Sequence, residues 1–163
     1  MPGHEPVSDG VIQNPRLQRL HAQWLAWKGD LALPSRADFL PEDIGYLLGH
    51  VILFDVVAGE RLRFRYRLIG TVLVARRGYD LTGRFLDEHP DAGVTSIVTE
   101  INERVVREAR PLWWGFDARG QDKRMRHCEV LTLPLTRRDM DPAAGVTMLL
   151  AAQIFTDEER ARR

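Results

Sequence analysis

The chain has 163 residues, 44% of them hydrophobic, and 23 Lys plus Arg balance 23 Asp plus Glu to a formal net charge of zero. That length fits one domain with a core and room for a small pocket, and two full domains would be cramped. The neutral balance gives no pull toward nucleic acid, an anionic membrane or acidic substrates. The lone cysteine, Cys128, excludes an intrachain disulfide and a cysteine-rich zinc centre, and suits a reducing compartment.

Residues 1–13 are rich in Pro, Gly and polar side chains, which predicts a flexible lead-in. They lack the basic-then-apolar pattern of a signal peptide, and no apolar run approaches the roughly 18 residues of a membrane helix, so a cytoplasmic protein is expected. The first helix is predicted to start at Asn14-Pro15, with Asn14 as N-cap, and to end at Gly29. Leu17, Leu20, His21, Trp24 and Trp27 recur along it at helical spacing. A shorter helix is predicted from Pro41 to about Gly49, with Leu40, Ile44, Leu47 and Leu48 as its apolar face.

Val51–Val57 and Arg61–Ile69 flank the Gly59-Glu60 turn and read as a β-hairpin. Strict alternation in the second strand puts Phe64, Tyr66 and Leu68 on one face and Arg63, Arg65 and Arg67 on the other. Thr71 is predicted to cap a short helix ending at Gly78, before the turn Asp80-Leu81-Thr82-Gly83. A longer helix is expected from Ala92 to Arg110, with Val94, Ile97, Val98, Ile101 and Val105 in one stripe and Glu100/Arg104 and Glu103/Arg107 as i,i+4 pairs. Three strands follow, Leu112–Phe116, Met125–Leu135 and Val146–Phe155, and then a charged tail, Thr156–Arg163, that reads either as a frayed helical stub or as disordered. The expected plan is a lead-in (1–13), an N-terminal helix (14–30), a domain (31–156) and the tail (157–163).

The segments LPSRADFLPEDIGYLLGHVILFDVV (Leu33 to Val57), RFRYRLIGT (Arg63 to Thr71) and RRGYDLTGRFLDE (Arg76 to Glu88), with EVLTLPL and LLAAQIF later, resemble a PAS-like family of often single-domain proteins common in alphaproteobacteria. The resemblance runs from about Trp24 to Phe155. It implies an α+β fold in which a five-stranded antiparallel sheet carries helices on one face, with an N-terminal flanking helix. In that setting Gly70, Thr71, Asp80, Thr82 and Gly83 read as scaffold: glycine relaxes the backbone, threonine caps, and the Asp–Thr turn bonds its own backbone.

Catalytic motifs are scarce. The histidines His4, His21, His50, His89 and His127 show no metal-ligand spacing, and there is no P-loop, GxGxxG or GxSxG. His127 and Glu129 share a strand face and offer an acid–base pair, or simply a polar outer surface; Asp55 has no evident partner. PAS relatives that bind haem through a histidine on the long helix are a poor match, because Ala92–Arg110 contains none. Flavin photosensors of the fold use a cysteine in the helical segment, whereas Cys128 lies on a late strand and reads as a small buried hydrophobe.

A pocket for an unknown small molecule is therefore expected, lined by Tyr66, Trp113 or Trp114, and Gln153, although each of these aromatic residues could equally be plain core. Adjacent Trp113 and Trp114 must point to opposite faces. Leu17, Leu20, Trp24 and Trp27 form an apolar stripe that predicts a homodimer interface, unless the helix folds back on its own sheet. With no output segment in the chain, the resemblance implies a sensor that signals to another protein in trans. The alternatives are a cyclase- or isomerase-type α+β cone with a pocket acid or base and, more distantly, a nucleic-acid strand at the basic RLRFRYR run.

Overall fold

In the computed structural model, which describes residues 12–162, the Asn14 side chain accepts the backbone N–H groups of Arg16 (2.9 Å) and Leu17 (3.3 Å) and opens helix α1 (Pro15–Lys28). Gly29, at φ 53°, closes it. The lead-in expected before Asn14 lies, up to residue 11, outside the described residues. Pro41–His50 forms 3₁₀ turns instead of the expected α-helix, because the chain kinks at Ile44 (φ −115°).

Five strands follow: β1 (Val51–Val57), β2 (Arg63–Ile69), β3 (Leu112–Arg119), β4 (Met125–Leu135) and β5 (Met148–Phe155). They form one sheet in the order β2-β1-β5-β4-β3 with every neighbouring pair antiparallel. Helices α2 (Thr71–Arg77) and α3 (Ala92–Glu108) fill the connection between β2 and β3, and α4 (Thr156–Ala161) continues from β5. This is the α+β architecture that the resemblance implied.

Period-two burial divides the sheet between two cores. On the inner face Phe54, Phe64, Tyr66, Trp114, Phe116 and Val130 pack against α3 through Ile101 and Val105. On the outer face Leu53, Leu131, Leu133 and Leu150 pack against Leu17, Leu20 and Trp24 of α1. The central strand β5 is buried along its whole length, so it reads as a continuous apolar run.

Four expectations change. The register between β1 and β2 shifts at Leu53/Phe54, so Leu53 pairs with Leu68 and Phe54 with Tyr66, leaving Arg67 as the extra residue of a bulge. Leu68 is thereby turned away from the Tyr66 face and is 38% exposed. Thr71 does not cap α2: Gly70 holds that position without a side-chain hydrogen bond. Gly70 is needed for close approach, since a Cβ there would stand 2.2 Å from the Gly49 carbonyl oxygen. Arg104 pairs with Glu108 (3.4 Å), not with Glu100. Finally, the start of the charged tail is docked as α4, where Glu158 and Asp157 bind Arg76 at 2.9 and 3.0 Å.

Candidate functional site

Tyr66 comes from β2, Trp114 from β3 and Gln153 from β5, and together they line a cavity of about 30 Å³ between the sheet and α3. A second cavity of about 50 Å³, closed by α2 and the Tyr79–Asp91 segment, shares Arg77, Val94, Phe116 and Gln153 with it. Three of the four residues expected in the pocket therefore meet there. Trp113 does not: it points to the outer face, where its indole N–H reaches Glu129 (3.3 Å), while Trp114 donates to the Thr132 hydroxyl on the inner face (3.1 Å). The opposed pair follows from strand pleating.

The cavity walls hold donors that lack acceptors. Arg77 Nη1, His89 Nε2 and Asn102 Nδ2 are buried without a hydrogen-bond partner. Arg77 borders both cavities, His89 the larger and Asn102 the smaller. His89 Nδ1 accepts the Asp91 backbone N–H (2.9 Å), so its proton resides on Nε2 and that atom is a donor. Burial, aided by the Arg77 charge, pushes the His89 pKa down to about 4 and keeps the ring neutral near pH 7. Burial pushes the Tyr66 phenol up to about 12, against the opposing pull of Arg77. Unpaired buried N–H groups cost roughly 1–3 kcal/mol each, so each of these three calls for an explanation.

Gln153 links this space to the chain ends. Its side-chain amide donates to Cys128 Sγ (3.4 Å), and its backbone carbonyl meets His50 Nδ1 (3.2 Å), whose Nε2 faces Glu158 of α4 (3.3 Å). Cys128 is fully buried and its thiol is raised by burial to about 12, which keeps it protonated and unreactive.

The sequence did not single out Arg77, His89 or Asn102 as site residues. Asn102 had a signal: it sits four residues after Val98, a polar side chain inside the apolar stripe of α3. Arg77 at a helix end and His89 in a turn had none.

Other candidates find different places. His127 binds Asp117 across the strand pair (3.1 Å) and both are exposed, while Glu129 serves Trp113, so of the two readings the residues take the polar-surface one and no His127–Glu129 pair forms. Asp55, expected to lack a partner, is buried beside Arg67 (3.2 Å), Arg65 (3.4 Å) and Arg137 (3.8 Å). Asp80 accepts the Thr82 backbone N–H and hydroxyl (2.9 and 2.6 Å), and Gly83, at φ 88°, donates to the Tyr66 carbonyl, tying the turn to the edge of β2. Leu17, Leu20 and Trp24 are buried against their own sheet, and Trp27 stacks on Phe39 at 4.2 Å. The stripe expected at a dimer interface is consumed in cis, because the outer sheet face offers it a larger apolar partner within the same chain.

Among the described residues no helix is long and apolar enough to cross a membrane, and no three His, Cys, Asp or Glu side chains are grouped to hold a metal ion. No curated protein matches the chain. Solved structures do. A light-oxygen-voltage domain studied with a flavin analogue matches with a TM-score of 0.51 at 12% identity, covering 74% of this chain and 87% of that one. The light-oxygen-voltage protein of Rhodobacter sphaeroides matches with a TM-score of 0.51 at 11% identity, covering 93% of this chain and 74% of that one. At such identities the likeness is one of fold. The family model described as PAS domain matches residues 12–150, nearly the whole described chain, and with the sheet order and helical connection above it shows that the chain belongs to the PAS domain family.

Proposed function

We propose that this PAS domain is a sensory module that holds a small acceptor-bearing molecule, of the short-chain carboxylate class, in the inner cavity and passes its presence to a protein partner. The observation that carries the reading is the set of unpartnered buried donors on Arg77, His89 and Asn102 along two adjoining cavities that share Arg77. One of the three is cationic, which favours an anion, and the neutral imidazole and amide supply direction without adding charge. The cavities, about 30 and 50 Å³, stand far below the roughly 300–1,000 Å³ of pockets for drug-sized ligands, so the guest has only a few heavy atoms. A flavin, as studied in the light-oxygen-voltage relative, is too large for this packing. The route outward runs through Gln153 to His50 and Glu158, where a shift of β5 alters how α4 and Arg76 are held.

Native mass spectrometry of the purified protein, with acetate, propionate and pyruvate as added probes, tests the reading. The expected result is a bound small acid, or a melting temperature raised by one of the probes, that is lost in both Arg77→Gln and Asn102→Leu. A bare chain whose melting temperature ignores all three probes sinks it.

A further inference from the structure

The outer face carries a larger cavity at the sheet edge, where β2 meets the Pro41–His50 turns. Its volume is about 350 Å³, within the usual range for small-molecule sites. Val51, Leu53 and Leu150 give it a floor of sheet side chains, Ile44 and Phe39 a side wall, and the bulge in β2 turns Leu68 into the opposite wall. Leu48 and Leu68 stand at it 41% and 38% exposed, apolar surface that a guest would cover.

Arg36 is the one charged residue in the lining. It stacks over Phe39 at 4.5 Å and donates to the Phe39 carbonyl (2.9 Å), which fixes its guanidinium beside the apolar wall. Arg138 and Arg67 lie near enough that their charges, after burial, hold its pKa below the usual arginine value. Four nearby carboxylates have partners of their own. Asp55 is shared among Arg65, Arg67 and Arg137, Asp139 binds Arg137 (2.8 Å), and Asp38 and Asp43 accept the backbone N–H groups of Ser35 and Leu40. Arg138 is exposed and has no acidic partner among the described residues. The mouth is therefore cationic and the interior apolar, the complement of an amphipathic anion.

We infer that this outer pocket is a second binding site, independent of the inner cavity, for a free medium-chain fatty acid anion whose acyl chain lies along Leu53, Leu68 and Leu150 and whose carboxylate meets Arg36 and Arg138. Affinity rises roughly three- to fourfold per methylene until the pocket is full, the gain expected for burying each one.

The test is calorimetry with hexanoate, octanoate, decanoate and octanol, together with methyl NMR spectra. Octanoate is expected to bind saturably, at least tenfold tighter than octanol, and to shift the methyl signals of Leu48, Leu53, Leu68 and Leu150. Arg36→Gln combined with Arg138→Gln should erase the preference for the acid while leaving octanol binding in place. Leu68→Glu, at a position 38% exposed, should abolish both, with the folded state checked by circular dichroism. Equal binding of octanol and octanoate overturns the proposal, as do shifts confined to Val94 and Val98 of the inner cavity. A dimer by light scattering that Leu68→Glu dissolves overturns it too, because the occupant is then a second copy of the chain.

Discussion

Both faces of the sheet carry an apolar core, yet they finish differently. In the outer core, under α1, Trp24 donates its indole N–H to the Pro134 carbonyl at 2.9 Å. The inner core, under α2 and α3, leaves three buried donors open. Polar groups satisfied where they are buried add to stability, whereas buried donors left without an acceptor cost it. Substitutions on the two faces should therefore move stability in opposite directions.

The largest effect is expected on the outer face. Trp24→Ala removes a side chain that is 3% exposed and bonded to β4, and should cost about 3–5 kcal/mol by urea unfolding. Trp113→Ala, on the same face but only half-buried and reaching no further than Glu129, should cost about 1 kcal/mol. If the two costs came out equal, α1 would not be the closure of that face.

A smaller effect, and one of pH, belongs to the inner face. The folded His89 pKa, about 4, lies below the ordinary histidine value of 6.5, so the unfolded chain binds the extra proton first. Its contribution to stability is complete above pH 6.5 and is lost as the pH falls from 6.5 toward 4, by on the order of 2 kcal/mol. His50 is lowered as well, chiefly by burial, and adds to the same acid-side loss. Urea titrations at pH 7 and pH 4.5 check this, and His89→Gln should recover part of the drop. An identical loss in wild type and variant would assign the whole effect to other groups.

Much of the fold was already legible in the chain. Asn14-Pro15 and Gly29 bound α1, β4 spans Met125–Leu135 as expected, and Trp113-Trp114 had to split between the faces. What stayed hidden came from events that no local pattern encodes. One extra residue at Arg67 moves Leu68 from one core to the other face and so makes the wall of the outer pocket. The cis packing of α1 depends on the total area that the outer face offers, a property of the assembled sheet. Arg77 and His89 reach the cavity from a helix end and a turn, where a polar residue looks like ordinary surface until the segment from Tyr79 to Asp91 folds over β2.

The smallest expected change is the most diagnostic, because its sign separates the faces. Asn102 is 1% exposed on the inner stripe of α3, and its Nδ2 has no acceptor. If the inner cavity were only core, an amide there would be an error that leucine corrects, and nothing else would change. If the cavity awaits an acceptor, Asn102→Leu should stabilise the empty protein by about 1 kcal/mol in urea, since it removes a desolvated donor of nearly the same size. It should also abolish the protection given by a bound short-chain acid, so that wild type with its guest overtakes the variant. A variant that is more stable than wild type without added acid and less stable with it requires that Asn102 be kept for binding, since packing alone would have replaced it.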